Sequence, residues 1–184
     1  MNRLYGENKS YDNSENDFLR VSKHLKNLTG INLPSTPKNI TLLESRLQRL
    51  IRSKLITSLE NLAQLLDQGN PKITQEFISI MTTNTTHFFR EDSHFDILSE
   101  VIVKIATERI KNGTPEIRIW CAAVSTGEES YTIAMSVLEA LRNLDCKVKI
   151  LATDIDYEVL KVAKNGRYSF DKETNIPPHL IFKY

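Results

Sequence analysis

The pattern that most constrains this chain lies between residues 117 and 166. Ile117-Arg118-Ile119-Trp120-Cys121-Ala122-Ala123 reads as a strand rich enough in Ile, Trp, Cys and Ala to be covered on both faces. Val124-Ser125-Thr126-Gly127 turns the chain into a helix over 127–143. A second strand, 148–154, ends in Asp154, and another helix starts near Asp156 and runs through Val159, Leu160 and Val162 to Gly166. Strand–helix–strand–helix places the two strands parallel. The fold class is therefore α/β, with a doubly wound sheet in this half of the chain.

The preceding residues carry helical periodicity. Residues 1–16, rich in Asn, Ser, Asp and Lys, are expected to be a disordered tail. A first helix is predicted from about Asp17, with Phe18, Val21, Leu25 and Leu28 on one face and Gly30 as its stop. Pro34 and Pro37 mark a linker. The second helix carries Leu43, Leu47, Leu50 and Ile51 on one side. Thr57-x-x-Glu60 has the form of a capping box for a third helix bearing Leu59, Leu62, Leu65 and Leu66. Gly69-Asn70-Pro71 breaks the chain, and Pro71 suits the first position of a fourth helix with Ile73, Phe77 and Ile80 inward. Residues 17–81 thus form an all-helical N-terminal bundle. Ser93 is expected to cap a fifth helix with Phe95, Leu98, Ile102 and Ile105 on one face, and residues 93–184 make up the α/β domain.

Between these halves, residues 82–92 include Thr82-Thr83-Asn84-Thr85-Thr86-His87-Phe88-Phe89-Arg90-Glu91. Hydroxyl and amide side chains compete for backbone hydrogen bonds, so this is a poor helix interior and reads as an ordered loop dense in donors and acceptors. Arg90 adds a guanidinium fork that suits a carboxylate. The plainer alternative is a helix–loop–helix connection whose phenylalanines plug the core and whose arginine is solvated.

Composition narrows the function. Hydrophobic residues are 40%, charged residues 26% and the net charge +1, so no global field recruits nucleic acid or an acidic membrane. No apolar run is long enough to span a bilayer, and Met1–Gly6 holds no signal-peptide core. Cys121 and Cys146 read as a reduced, cytoplasmic pair, and four scattered histidines give no metal-ligand spacing.

The turn after the first strand contains small residues that let a ligand approach the backbone, ahead of a helix N-terminus that attracts anionic groups. Gly127 is its single glycine, so it is no dinucleotide fingerprint, and an ordinary tight turn is the alternative. Asp154 closes the second strand, where a carboxylate can accept from a ribose diol; capping the next helix is the competing role, and Asp156 takes that role better. Glu128 and Glu129 stand in a first helical turn, where the dipole alone favours acids. Arg46, Arg49 and Arg52 recur at three-residue spacing, roughly opposite the leucine stripe of the second helix. They read as a solvated face or as a docking stripe; nucleic-acid binding lacks the interleaved aromatics it would need.

Three segments together, Thr83–Arg90, Ala122-Ala123-Val124-Ser125-Thr126-Gly127-Glu128-Glu129 and Ala152-Thr153-Asp154-Ile155-Asp156, resemble the motifs of the chemotaxis receptor methyltransferases, the CheR family. The resemblance runs from about Asp17 to the C-terminus. It implies the first half of a Rossmann-like S-adenosylmethionine-dependent methyltransferase domain, with S-adenosyl-L-methionine as cofactor and a chemoreceptor glutamate as substrate. It places Asn84, Thr86, Arg90, Glu129 and Asp154 at the cofactor; on that placement Arg90 is expected to orient the incoming carboxylate and Asn84 and Thr86 to hold cofactor or loop, while His87 is assigned no role. It also implies that the basic helix with Arg46, Arg49 and Arg52 docks chemoreceptor cytoplasmic helices. A glutamate is already ionised at neutral pH, so this chemistry needs no general base.

Two departures from the family stand out. Ser130 replaces the proline that usually follows the Glu-Glu pair, which the helix should tolerate. The chain also stops at Tyr184, where the family continues for roughly another hundred residues. A C-terminally truncated domain is expected to leave strand 117–123 open on one edge, poorly protected and without turnover. A non-catalytic receptor-docking or cofactor-binding module is therefore one alternative function, and a nucleotide-binding enzyme fragment another.

Overall fold

The computed structural model describes residues 11–169 and 175–184, with side chains from Ser14 onward. The chain divides into two compact units, residues 1–83 and 84–184. The boundary falls inside the loop predicted over 82–92.

The first unit contains helices α1 (Tyr11–Thr29), α2 (Pro37–Arg52), α3 (Leu59–Asp67) and α4 (Pro71–Met81). Its core is one cluster in which Phe18, Val21, Leu25, Leu47, Leu62 and Phe77 are almost wholly buried. Helix α1 begins at Tyr11, so residues 11–16 are helical rather than part of the expected tail. Glu15 then stands near the positive end of the helix dipole, which favours the added turn. Residues 1–10 lie outside the described residues. Leu28 is exposed, because the apolar face has rotated past it by the last turn. Pro37 opens α2 instead of breaking the chain: Thr36 caps that helix and Pro37 occupies its first position, where a missing N–H costs nothing. The third helix is capped one residue later than the spacing predicts. Ser58 accepts from the Asn61 amide, and Asn61 Oδ1 accepts from the Thr57 amide at 3.1 Å. Leu59, Leu62 and Leu66 are buried, with Leu65 at the edge of the core. Asn70 caps α4, and Pro71 starts it as predicted.

The second unit contains α5 (Ser93–Lys111), β1 (Glu116–Ala122), α6 (Glu128–Ala140), β2 (Lys147–Thr153), α7 (Tyr157–Asn165) and the short α8 (Pro178–Ile181). Asp92, not Ser93, caps α5, with Oδ1 accepting from the Ser93 amide at 2.9 Å. Ala106 takes the buried place predicted for Ile105, which is exposed. The strands pair in parallel, in register from Glu116 opposite Lys147 to Ala122 opposite Thr153. Helix α6 is their crossover, and it ends three residues short of the predicted 143.

Ile102 and Ala106 of α5, Ile117 of β1, Val137 of α6 and Leu141 just after α6 form this unit's core. The other sheet face departs from the expected double burial. Trp120 is 71% exposed and its register partner Leu151 is 61% exposed. Successive strand residues point to opposite faces, so Ile117, Ile119 and Cys121 face α5 and α6 while Arg118 and Trp120 face away. Among the described residues no helix is long and apolar enough to cross a membrane.

Candidate functional site

Both strands end at the same edge, and the predicted motifs gather there. The turn after β1 is held in a costly backbone conformation. Ala123 and Ser125 have left-handed φ values of 56° and 52°, and Gly127 has φ 103°. Each non-glycine residue held there costs about 1–3 kcal/mol, so surrounding contacts must fix the turn. Gly127 is required twice over. Apart from its φ, a Cβ there would lie 2.6 Å from the Tyr168 hydroxyl and 2.9 Å from Ala163 Cβ. The small residue thus serves the packing of α7 and Tyr168 against the turn.

Asp154 supplies much of the restraint. Its Oδ2 accepts from the Ser125 amide at 2.8 Å, and its Oδ1 accepts from the Asp156 amide at 2.9 Å. It therefore stands at the carboxyl edge of the strands in a fixed orientation, and each oxygen has a second lone pair to offer. Asp156 caps α7 as predicted, accepting from the Glu158 amide at 3.0 Å. Asn84 Nδ2 donates to Asp156 Oδ2 at 2.7 Å, and the Asn84 carbonyl accepts from Ser125 Oγ at 2.7 Å.

The two glutamates separate in role. Glu128 Oε2 accepts from Thr126 Oγ1 at 2.6 Å, which ties it to its own turn. Glu129 is exposed and lines a cleft of about 300 Å³ with Arg90, Glu91, His94, Phe95, Leu98 and Ile133. Burial, and after it the Glu129 carboxylate, pushes the Cys121 thiol up. Ser130, in place of a proline, donates from Oγ to the Gly127 carbonyl at 2.8 Å and fits the buried side of α6.

Arg90 is exposed, with one contact to the Thr85 carbonyl at 3.3 Å. Its neighbours Phe89 and Glu91 have φ values of 51° and 57°, so the strained backbone brackets it. The phenylalanines before it anchor the loop. Phe88 packs edge-on against Tyr168 with ring centroids 4.9 Å apart, and Phe89 against Phe95 at 5.6 Å. The Phe89 amide donates to Thr132 Oγ1 at 3.2 Å. Thr86 is half-buried and is neither among the residues lining the Arg90–Glu129 cleft nor a partner in the Asn84–Asp156 bond.

Within the helical unit, the arginine stripe is not uniform. Arg46 Nη1 donates to the carbonyls of Ile80, Met81 and Thr82 at 3.0, 2.6 and 3.3 Å, and Nη2 to Thr83 Oγ1 at 3.3 Å. It satisfies the carbonyl end of α4 and sits at the edge of the leucine stripe, not opposite it. It follows Leu43 by three residues and precedes Leu50 by four, so all three share a face. Arg49 donates to Ser79 Oγ at 3.2 Å and remains largely exposed, while Arg52 bonds the Gln48 carbonyl of its own helix.

Tyr168 is the residue that sequence reasoning missed. It donates to the Thr126 carbonyl at 2.7 Å and packs edge-on against Phe88 and Tyr131. Burial, with Glu128 adding to it, pushes its hydroxyl well above the usual tyrosine range and keeps it a donor. No local pattern in the polar segment after Gly166 marks it.

A parallel α/β unit with a carboxylate at the end of β2 and paired charges beyond β1 belongs to the class that takes nucleoside cofactors at its carboxyl edge. Residues 84–184 match the family described as CheR methyltransferase, SAM binding domain, and residues 16–82 match the CheR methyltransferase all-alpha domain. The chain belongs to the CheR methyltransferase family. It is 41% identical to the chemotaxis protein methyltransferase of Borreliella burgdorferi, over 93% of this chain and 61% of that protein. It is 38% identical to chemotaxis protein methyltransferase 2 of Pseudomonas aeruginosa, over 94% and 59% of the two chains. The Escherichia coli chemotaxis protein methyltransferase is 34% identical over 93% of this chain and 57% of its own length. The chain thus spans about three-fifths of these relatives' length.

The family makes S-adenosylmethionine the cofactor of residues 84–184. The donor set fits that molecule: Asp154 offers acceptors for a diol, and Arg90 and Glu129 offer opposite charges for an amino-acid end, above apolar Phe95, Leu98 and Ile133.

Proposed function

We propose that this chain forms the cofactor-binding and receptor-docking part of an S-adenosylmethionine-dependent methyltransferase that methylates glutamate side chains of chemoreceptors in the cytoplasm. The observation that carries this reading is the single cleft lined by Arg90 and Glu129. An isolated acid or base would suit many ligands; the two together suit a zwitterionic cofactor end beside an incoming carboxylate.

When bound, the cofactor supplies an electrophilic methyl group on a sulfonium. The chain's residues bind, orient and exclude water. Asp154 holds the ribose hydroxyls, and Glu129 attracts the cationic end of the cofactor. Arg90 uses its fork to orient the receptor carboxylate, which needs no base because it is already ionised. Phe95, Leu98 and Ile133 provide an apolar lining that reduces water around the reacting groups. On the helical unit, the exposed Arg49 and Arg52 meet acidic receptor helices.

Calorimetry with S-adenosylhomocysteine tests the reading. The chain should bind with a dissociation constant on the order of micromolar, and Glu129→Gln should weaken binding about tenfold or more. Absence of binding heat across a range of temperatures would refute it.

A further inference from the structure

The three motif segments are joined by a closed circuit of four hydrogen bonds. Asn84 Nδ2 donates to Asp156 Oδ2 at 2.7 Å. The Asp156 amide donates to Asp154 Oδ1 at 2.9 Å. The Ser125 amide donates to Asp154 Oδ2 at 2.8 Å, and Ser125 Oγ returns to the Asn84 carbonyl at 2.7 Å. We propose that Asn84 and Asp156 are positioning residues, whose side-chain pair holds the Ser125 turn and the Asp154 carboxylate in the arrangement that receives the cofactor. The inference rests on the reading that this edge binds S-adenosylmethionine.

Three observations point to positioning. Asp156 is 1% exposed, so its carboxylate does not face a ligand. The α7 cap is made through Oδ1, whereas Oδ2 accepts from Asn84, 72 residues away in sequence. Finally, Ser125 holds φ 52° while buried, a conformation that persists only under outside restraint. Ser125 is gripped through both its amide and its hydroxyl, and both grips belong to the circuit.

The circuit predicts a reversible exchange of partners. Asp156→Asn keeps a carbonyl for the α7 cap but sets an amide donor against the Asn84 donor. The double variant N84D/D156N restores a donor–acceptor pair with its direction reversed. Asn84→Ala removes the link and leaves the cap untouched, which covers the case in which D156N fails to fold. The tests are hydrogen exchange on the full ligand-free chain, followed by calorimetry with S-adenosylhomocysteine.

In both single variants, exchange at Ser125 and across residues 84–91 should rise about tenfold while α7 stays protected, and affinity should fall by a similar factor. The double variant should recover both quantities. Unchanged exchange at Ser125 in the single variants would overturn the proposal, as would failure of the double variant to recover it. Lost affinity with an undisturbed turn would also overturn it and make Asn84 a direct ligand. Wild-type chain that binds no S-adenosylhomocysteine would refute the functional reading instead, and the exchange data would still decide the circuit.

Discussion

The Ser125 amide donates to Asp154 Oδ2 at 2.8 Å, joining the turn after β1 to the last carboxylate of β2. Asp154 therefore stands at the carboxyl edge of the sheet and restrains the strained turn beside it. Asp154→Ala should cost about 1.5–3 kcal/mol of stability in addition to weakening cofactor binding, because two backbone amides lose a charged acceptor. Asp154→Asn, which keeps one acceptor oxygen, should retain more of both. Urea melts read beside S-adenosylhomocysteine titrations check this; a loss of binding with unaltered stability would show that the amide contacts contribute little.

Arg90 keeps one contact to its own loop and exposes its guanidinium to the cleft. In a chain extended to the length of its relatives, Arg90→Ala should lower methyl transfer by roughly 10- to 150-fold, the equivalent of one charge-assisted contact, with a smaller change in cofactor affinity. Arg90→Lys should recover little, because an ammonium lacks the planar fork. Turnover with receptor substrate measures both variants, and wild-type rates for Arg90→Ala would remove the residue from the chemistry.

Arg46 ends α4 by binding three of its last carbonyls. Arg46→Ala should destabilise the helical unit by about 1.5–3 kcal/mol. Arg49→Ala and Arg52→Ala should stay within about 0.5 kcal/mol of wild type. The latter pair should instead weaken receptor association and flatten its salt dependence. Thermal melts and binding at two salt concentrations separate the two effects.

Glu116 lies between Lys149 and Arg118, at 2.7 and 2.8 Å. Hydrogen bonds from Lys149 first and Arg118 next hold its carboxyl down at about 2, against an ordinary 4.5. A depressed folded pKa contributes stability that is present above the unfolded value and is lost as pH falls toward the folded one. Wild type should therefore lose stability between about pH 4.5 and 2 more steeply than Glu116→Gln. The pair is at the surface, so high salt should reduce the difference. Parallel acid titrations of the two proteins would refute this assignment.

Cys121 is buried on β1, and burial followed by the Glu129 charge raises its thiol pKa. At neutral pH it should react with an alkylating reagent much more slowly than the partly exposed Cys146. Glu129→Gln should speed Cys121 modestly at alkaline pH, where the thiolate forms. Mass spectrometry of timed samples reads both sites, and equal rates would place Cys121 in the open.

Local chemistry determined much of this protein from sequence. Repeating leucines, Gly30 and the Asn70-Pro71 step specify helices and their ends, because those signals act within a turn or two of chain. The Asp156 cap is equally local, and the parallel pairing of β1 with β2 follows from the strand–helix–strand order. The charged turn Glu128-Glu129 was legible as a pair, yet only packing decided that Thr126 holds one acid and the cleft receives the other. Helix caps slipped by one residue at Ser58 and Asp92, since neighbouring Ser, Thr and Asp side chains compete on nearly equal terms. Arg46 looked like part of a surface stripe because periodicity describes one helix at a time; its function arises from α4, 34 or more residues away. Tyr168 and the Asn84–Asp156 bond were invisible for the same reason. Their partners are remote in sequence, and a hydrogen bond is chosen by where folded backbones bring atoms within about 3 Å of each other.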